Sequence, residues 1–154
     1  MSRAFVKESD DIPELPDRPV SPHANLVTAH GMEAIRGQVH GHRAELAKAT
    51  QAGDREKIAA AKRELRYWNA RQATAELQPP PTDCDAVRFG CRVTIERDDG
   101  RKQTFAIVGE DEADPNAGTL SYVSPLAQAL MGKAVGDVVR VGKGEAEILK
   151  IERA

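Results

Sequence analysis

Between Thr28 and Ala49 the apolar positions recur at alternating steps of three and four. Met32, Ile35, Val39, His42, Leu46 and Ala49 carry the pattern. Such spacing lines one seam of an α-helix. Gln51-Ala52-Gly53-Asp54 interrupts it, and Ile58, Ala61, Leu65, Trp68 and Ala75 resume it, with Gln72 as the one break. Thr28 is placed to cap the first helix and Asp54 the second, because a side-chain oxygen there can accept an otherwise unpaired N–H of the first turn. Gly53 suits the left-handed position that ends a helix. Two seams of equal length around a short turn predict an antiparallel hairpin over residues 28–78. Each arm is about 23 residues, or about 35 Å at 1.5 Å per residue. Gly37 and Gly41 each cost the first arm about 1 kcal/mol relative to alanine, so it depends on its partner arm. His42, on the seam, reads as a packed histidine.

Pro79-Pro80-Pro81 cannot continue a helix and marks a linker over residues 79–82. Beyond it the period changes from helical to two. Cys91, Val93 and Ile95 alternate with Arg92, Thr94 and Glu96, as in a half-buried strand. Asp98-Asp99-Gly100 signals a turn, and Thr104–Val108 returns as a second strand. An acidic loop, Glu110 to Asn116, precedes a third strand over Thr119–Val123. Ser124 can cap a short helix that has Pro125 at its first position and Gly132 at its end. Val138–Val141 and Ala146–Ile151 supply two more strands. The fold class is therefore α+β. It combines an N-terminal antiparallel helical hairpin, a coiled coil, with a C-terminal antiparallel β domain over residues 83–154 that carries one short helix.

Residues 1–27 follow neither pattern. Pro13, Pro16, Pro19 and Pro22 recur every third residue amid mixed charge. Few large apolar groups are present to offset the entropy of ordering. This segment is expected to be a disordered or extended tail, with a partner-binding arm as the alternative.

The 154 residues carry a net charge of −2, distributed as −2 over residues 1–27, +3 over 28–82 and −3 over 83–154. No segment is basic enough to bind nucleic acid through phosphate contacts, so a protein partner fits better. No apolar run approaches the roughly 18 residues needed to span a bilayer, and no signal peptide opens the chain. The expectation is a cytoplasmic protein with no membrane association. Cys84 and Cys91 do not have the paired spacing of a zinc site, and all four histidines precede residue 43. No metal site is expected, and Cys91 reads as a core-facing strand residue. No nucleophile–base pair is visible either.

The stretch Ser121-Tyr-Val-Ser-Pro-Leu-Ala-Gln-Ala-Leu-Met-Gly-Lys133 resembles the C-terminal signature of the GreA/GreB transcription factors. Ile107 to Asp114, Val135 to Val139 and Gly144 to Glu147 are similar to that family as well. In the hairpin the resemblance runs from Thr28-Ala-His-Gly31 through Gly53-Asp54 to Leu65-Arg66-Tyr67-Trp68, and Ser2 to Glu8 is similar to an extension on some members. The likeness covers residues 27–153. It implies an FKBP-like C-terminal domain that docks at the rim of the RNA polymerase secondary channel, with the coiled coil entering the channel. Acidic tip residues then help to hold the Mg²⁺ of the polymerase, which hydrolyses the end of a backtracked transcript. The chain would be a monomeric accessory factor rather than an enzyme, with no cofactor of its own. Its contact with nucleic acid would be only indirect, through the elongation complex. By the resemblance Asp54 and Glu56 are the Mg²⁺-directed acids, and Asp111, Val123, Ser124 and Pro125 the polymerase-binding residues.

The tip departs from the family pattern Gly-Asp-x-x-Glu-Asn. Gly53 and Asp54 match, but Lys57 stands at the Glu position, Ile58 at the Asn position, and Ala61 where a Tyr follows. Glu56 comes one residue early and so points about 100° away on a helix. The arms are also shorter by roughly eight to ten residues, which withdraws the tip by about 12–15 Å, as in the short-armed relative Rnk. The reading is a polymerase-binding regulator of elongation whose tip opposes cleavage stimulation. One alternative is an active transcript-cleavage factor working through Asp54 and Glu56. A remote one is an FKBP-like peptidyl-prolyl isomerase, for which Phe89, Phe105 and Tyr122 would have to line the pocket.

Overall fold

The structure, a computed structural model, describes residues 14–154. Residues 1–13, with Pro13 and the Ser2–Glu8 stretch, lie outside the described residues. The chain divides into two compact units: the described part of Met1–Pro22 with Ile35–Ala73, and His23–Ala34 with Thr74–Ala154.

The heptad seams become two helices, α1 (Ala29–Ala52) and α2 (Arg55–Thr74), joined by a tight turn, and Ile35–Ala73 of them lies in the first unit. Their 24 and 20 residues correspond to about 36 and 30 Å. Ile35, Val39 and Ala49 are buried on one arm, and Ile58, Ala61 and Leu65 on the other, while His42 and Leu46 are half-buried. The seam of α2 closes on Arg71, which is 1% exposed, rather than at Gln72 or Ala75. Gly53 turns the chain with φ +69°, and its N–H donates to the Thr50 carbonyl at 3.2 Å. Residues 14–22 form neither helix nor strand and lie against α2. Arg66 donates to the Leu15 carbonyl at 2.8 Å and pairs with Asp17. Arg63 donates to the Pro16 carbonyl at 2.8 Å. Arg18 pairs with Glu64 at 2.9 Å, and its guanidinium lies 3.8 Å from the centroid of the Tyr67 ring. Cationic side chains thus hold a segment that has too little apolar surface to bury.

The second unit takes chain from both sides of the hairpin. β1 (Leu26–Val27) pairs in parallel with β2 (Glu76–Leu77). Glu76 donates to the Asn25 carbonyl at 2.8 Å and Gln78 to that of Val27 at 2.9 Å. These bonds draw the backbone into a strand directly after Thr74, so Ala75 falls outside the helix. The main sheet comprises β3 (Cys91–Arg97), β4 (Lys102–Val108), β5 (Thr119–Ser121), β6 (Val138–Val141) and β7 (Gly144–Arg153), in the order β5-β4-β3-β7-β6. The sheet is mixed, which corrects the expectation of an all-antiparallel one. β3–β4, β3–β7 and β6–β7 are antiparallel, whereas β4 and β5 are parallel. Between those two, Glu110–Glu112 and Pro115–Ala117 form 3-10 turns. A connection of this length carries the chain back alongside the C-terminal half of β4, where the Ala106 N–H meets the Gly118 carbonyl at 2.9 Å.

Val93, Ile95, Ile107 and Ile148 are fully buried, with Leu130 of helix α3 (Pro125–Leu130) packed over them. Cys91 is indeed core-facing, at 0% exposure, but it is also bonded to Cys84 in a disulfide that sequence reading did not anticipate. The loop it closes carries Val87 into the same core.

Candidate functional site

The hairpin tip brings Asp54, Glu56 and Lys57 together in the first unit. Asp54 caps α2, its Oδ1 accepting from the Lys57 N–H at 3.2 Å. Its Oδ2 faces the Lys57 ammonium at 4.0 Å. Both carboxylate oxygens are therefore turned toward one residue, which supplies an N–H and a positive charge. Glu56 lies exposed in the first turn, where a negative charge favours the helix dipole. Behind the tip a shallow groove of about 460 Å³ runs between the arms, lined by His42, Lys48, Asp54, Lys57, Glu64 and several alanines.

In the second unit the other predicted residues leave one end of the sheet. Because β4 and β5 are parallel, with Val108 opposite Ser121, the segments that follow both strands emerge side by side. Asp111 lies in the turn after β4, and Val123, Ser124 and Pro125 follow β5. Ser124 caps α3 as its sequence position suggests, its Oγ accepting from the Ala127 N–H at 3.3 Å. Gln128 donates to the Tyr122 carbonyl at 2.7 Å and fixes the turn from the other side. Pro125 at the first helical position is exposed, while Val123 and Ser124 are half-buried. This end of the unit presents a rigid corner, an apolar pair flanking a serine beside an acidic turn.

Glu112, which reads in the sequence as part of an acidic loop, is a pin. Its carboxylate accepts from the Thr28 N–H at 3.0 Å, the Thr28 hydroxyl at 2.6 Å and the Gly109 N–H at 3.3 Å. Thr28 in turn caps α1, its Oγ1 accepting from the Gly31 N–H at 3.0 Å. Gly31 leaves room for this, since a Cβ there would run into the Glu112 carboxylate. The partners are 84 residues apart, and no local pattern links them.

The aromatic residues required by an isomerase reading are committed elsewhere. Phe89 and Tyr122 pack edge to face at 5.7 Å, and the Tyr122 hydroxyl donates to the Ala24 carbonyl. Phe105 packs against the core. Among the described residues no helix is long and apolar enough to cross a membrane.

Residues 81–153 match the family model for the C-terminal part of the transcription elongation factors GreA/GreB. The GreA of Thermomicrobium roseum is 38% identical over 135 residues, covering 75% of this chain and 86% of that protein. The GreA of Desulfovibrio desulfuricans is 39% identical over 89 residues, or 56% of this chain, and the match spans about half of that relative, 55%. Among solved structures, that of GreA factor homolog 1 from Thermus thermophilus is 23% identical, covering 84% of this chain and 99% of the other, with a TM-score of 0.41.

Proposed function

Since this chain belongs to the GreA/GreB family of transcription elongation factors, we propose that it binds RNA polymerase at the secondary channel and regulates elongation without stimulating transcript cleavage. It does so as a cytoplasmic monomer with no chemistry or cofactor of its own, and it meets nucleic acid only through the elongation complex. The corner built from Asp111 and Val123–Pro125 is the docking face, and the hairpin occupies the channel.

The observation that carries this reading is the state of Asp54. Its carboxylate is turned to the Lys57 N–H and ammonium, at 3.2 and 4.0 Å. To approach the Mg²⁺ of the polymerase it would have to release a cap worth about 1 kcal/mol. It would also bring a cation toward a divalent ion, and Coulomb repulsion opposes that. Metal ligation tolerates distance errors of only about 0.2 Å, so a tip held this way does not serve as a ligand. A second reading, active cleavage through Asp54 and Glu56, finds support in the exposure of Glu56 at the tip.

Backtracked elongation complexes decide between the two. The chain is expected to leave the transcript at full length and to inhibit cleavage induced by an ordinary Gre factor. RNA shortening that Asp54→Ala and Glu56→Ala abolish would establish the second reading instead.

A further inference from the structure

The Cys84–Cys91 disulfide lies outside both the proposed docking corner and the tip. The inference drawn from it rests on the polymerase reading, which places the chain in a reducing cytoplasm. Disulfides there are rarely structural, and those that form are mostly transient, catalytic or redox-sensing. The two residues differ in burial. Cys91 is fully buried at the start of β3, while Cys84 is half-buried in an irregular segment.

The loop they close is tied to α3. The Val87 N–H donates to the Lys133 carbonyl at 2.8 Å, and the Gly132 N–H donates back to the Val87 carbonyl at 2.9 Å. Val87 itself is 2% exposed and packs in the same core as Ala127 and Leu130 of α3. The loop is further bonded by the Gly90 N–H to the Ile107 carbonyl at 2.9 Å, and its Gly90 carbonyl accepts from Ala154 at 3.3 Å. Residues 84–90 therefore act as a strap across the end of α3, and the helix opens at Ser124 and Pro125, the proposed docking corner.

We propose that Cys84 and Cys91 form a thiol–disulfide exchange site for a dithiol reductant, and that its redox state sets the order of residues 84–90 and, through Val87, the fit of α3 to the polymerase. A thiolate of the reductant attacks the sulfur of Cys84, the less buried of the two residues. The sulfur–sulfur bond breaks, a mixed disulfide forms at Cys84, and Cys91 leaves as a thiolate that takes up a proton. The second thiol of the reductant, as thiolate, then attacks the reductant sulfur of the mixed disulfide. It expels Cys84 as a thiolate, which is protonated in turn, and the reductant departs as a disulfide. Two electrons have passed to the cysteine pair. Reduction releases the covalent closure of the strap, and its backbone bonds, Val87 and the Phe89–Tyr122 contact are left to hold it.

The test uses the full chain, oxidised with diamide or reduced with dithiothreitol. Alkylation after unfolding, followed by mass measurement, should find no free thiol in the oxidised form and two in the reduced form. Amide hydrogen exchange at Val87, Gly132 and Lys133 should quicken by about tenfold or more on reduction. Affinity for RNA polymerase should fall by about fivefold or more. The Cys84→Ser variant, which spares the buried Cys91, should match the reduced wild type and ignore dithiothreitol in both readouts. Two alkylated thiols after oxidation, or equal exchange in both redox states, would overturn the site. Equal polymerase affinity in both states would overturn its coupling to docking. If neither state binds polymerase, the docking reading and its coupling fall, while the thiol and exchange results still decide the site.

Discussion

Asp54 and Glu112 are both acids whose carboxylates are used on backbone N–H groups. For Asp54 the cap and the charge separate by substitution. Asp54→Ala is expected to lower stability to urea by about 1 kcal/mol, and Asp54→Asn by only a few tenths, because the amide oxygen still accepts the Lys57 N–H. Equal losses for the two would show that the charge matters to the fold. Glu112 receives three donors from Thr28 and Gly109. Glu112→Ala should cost about 2 kcal/mol, as hydrogen bonds to a charged group are lost together. Thr28→Ala should cost about 1 kcal/mol, and the double variant less than the sum, since one contact is shared. Strict additivity in urea denaturation would contradict the pin.

At the scale of elements, α1 is the weakest by composition. Gly37 and Gly41 are exposed on it, and a Cβ at either position meets nothing within 4 Å. Their cost is thus one of helix propensity, with no packing return in this unit. Gly37→Ala and Gly41→Ala should each raise stability by about 0.5–1 kcal/mol, seen as an upward shift in the thermal midpoint. A loss at either position would mean that a close approach of another chain, rather than backbone freedom, favours the glycine. The segment of residues 14–22 shows the opposite economy, since α2 holds it mainly through arginines on carbonyls, carboxylates and an aromatic ring.

At the scale of the whole molecule, the proposed function assigns docking to one unit and channel occupancy to the other, and one substitution addresses the first alone. Pro125 is exposed at the first position of α3, where an acid favours the helix dipole. Pro125→Glu should therefore leave the thermal midpoint of the chain unchanged. It should weaken competition with an ordinary Gre factor for polymerase by about tenfold, a loss of about 1.4 kcal/mol. Undiminished competition would move the docking face elsewhere.

The sequence by itself determined the hairpin, its caps and the strand positions of the second unit. Those features are local: the 3.6 and 2.0 periods, Gly53 at a positive φ, and Ser124 before Pro125 each depend on a few neighbouring residues. The likeness to GreA/GreB was legible for the same reason, in contiguous stretches such as Ser121 to Lys133. Only the tertiary structure decided what joins residues distant in the chain. The parallel pairing of β4 with β5, Glu112 on Thr28, the arginine clasp on residues 14–22 and the end of α2 at β2 are of this kind. Each is a contact of high sequence separation or a strand direction set by the path of a loop, and no periodicity records either. The Cys84–Cys91 bond belongs with them despite its short span, because it depends on how the segment ending at Gly90 folds back onto β3. At the tip, sequence placed Lys57 where an acid was expected, and the fold turned that cation onto Asp54.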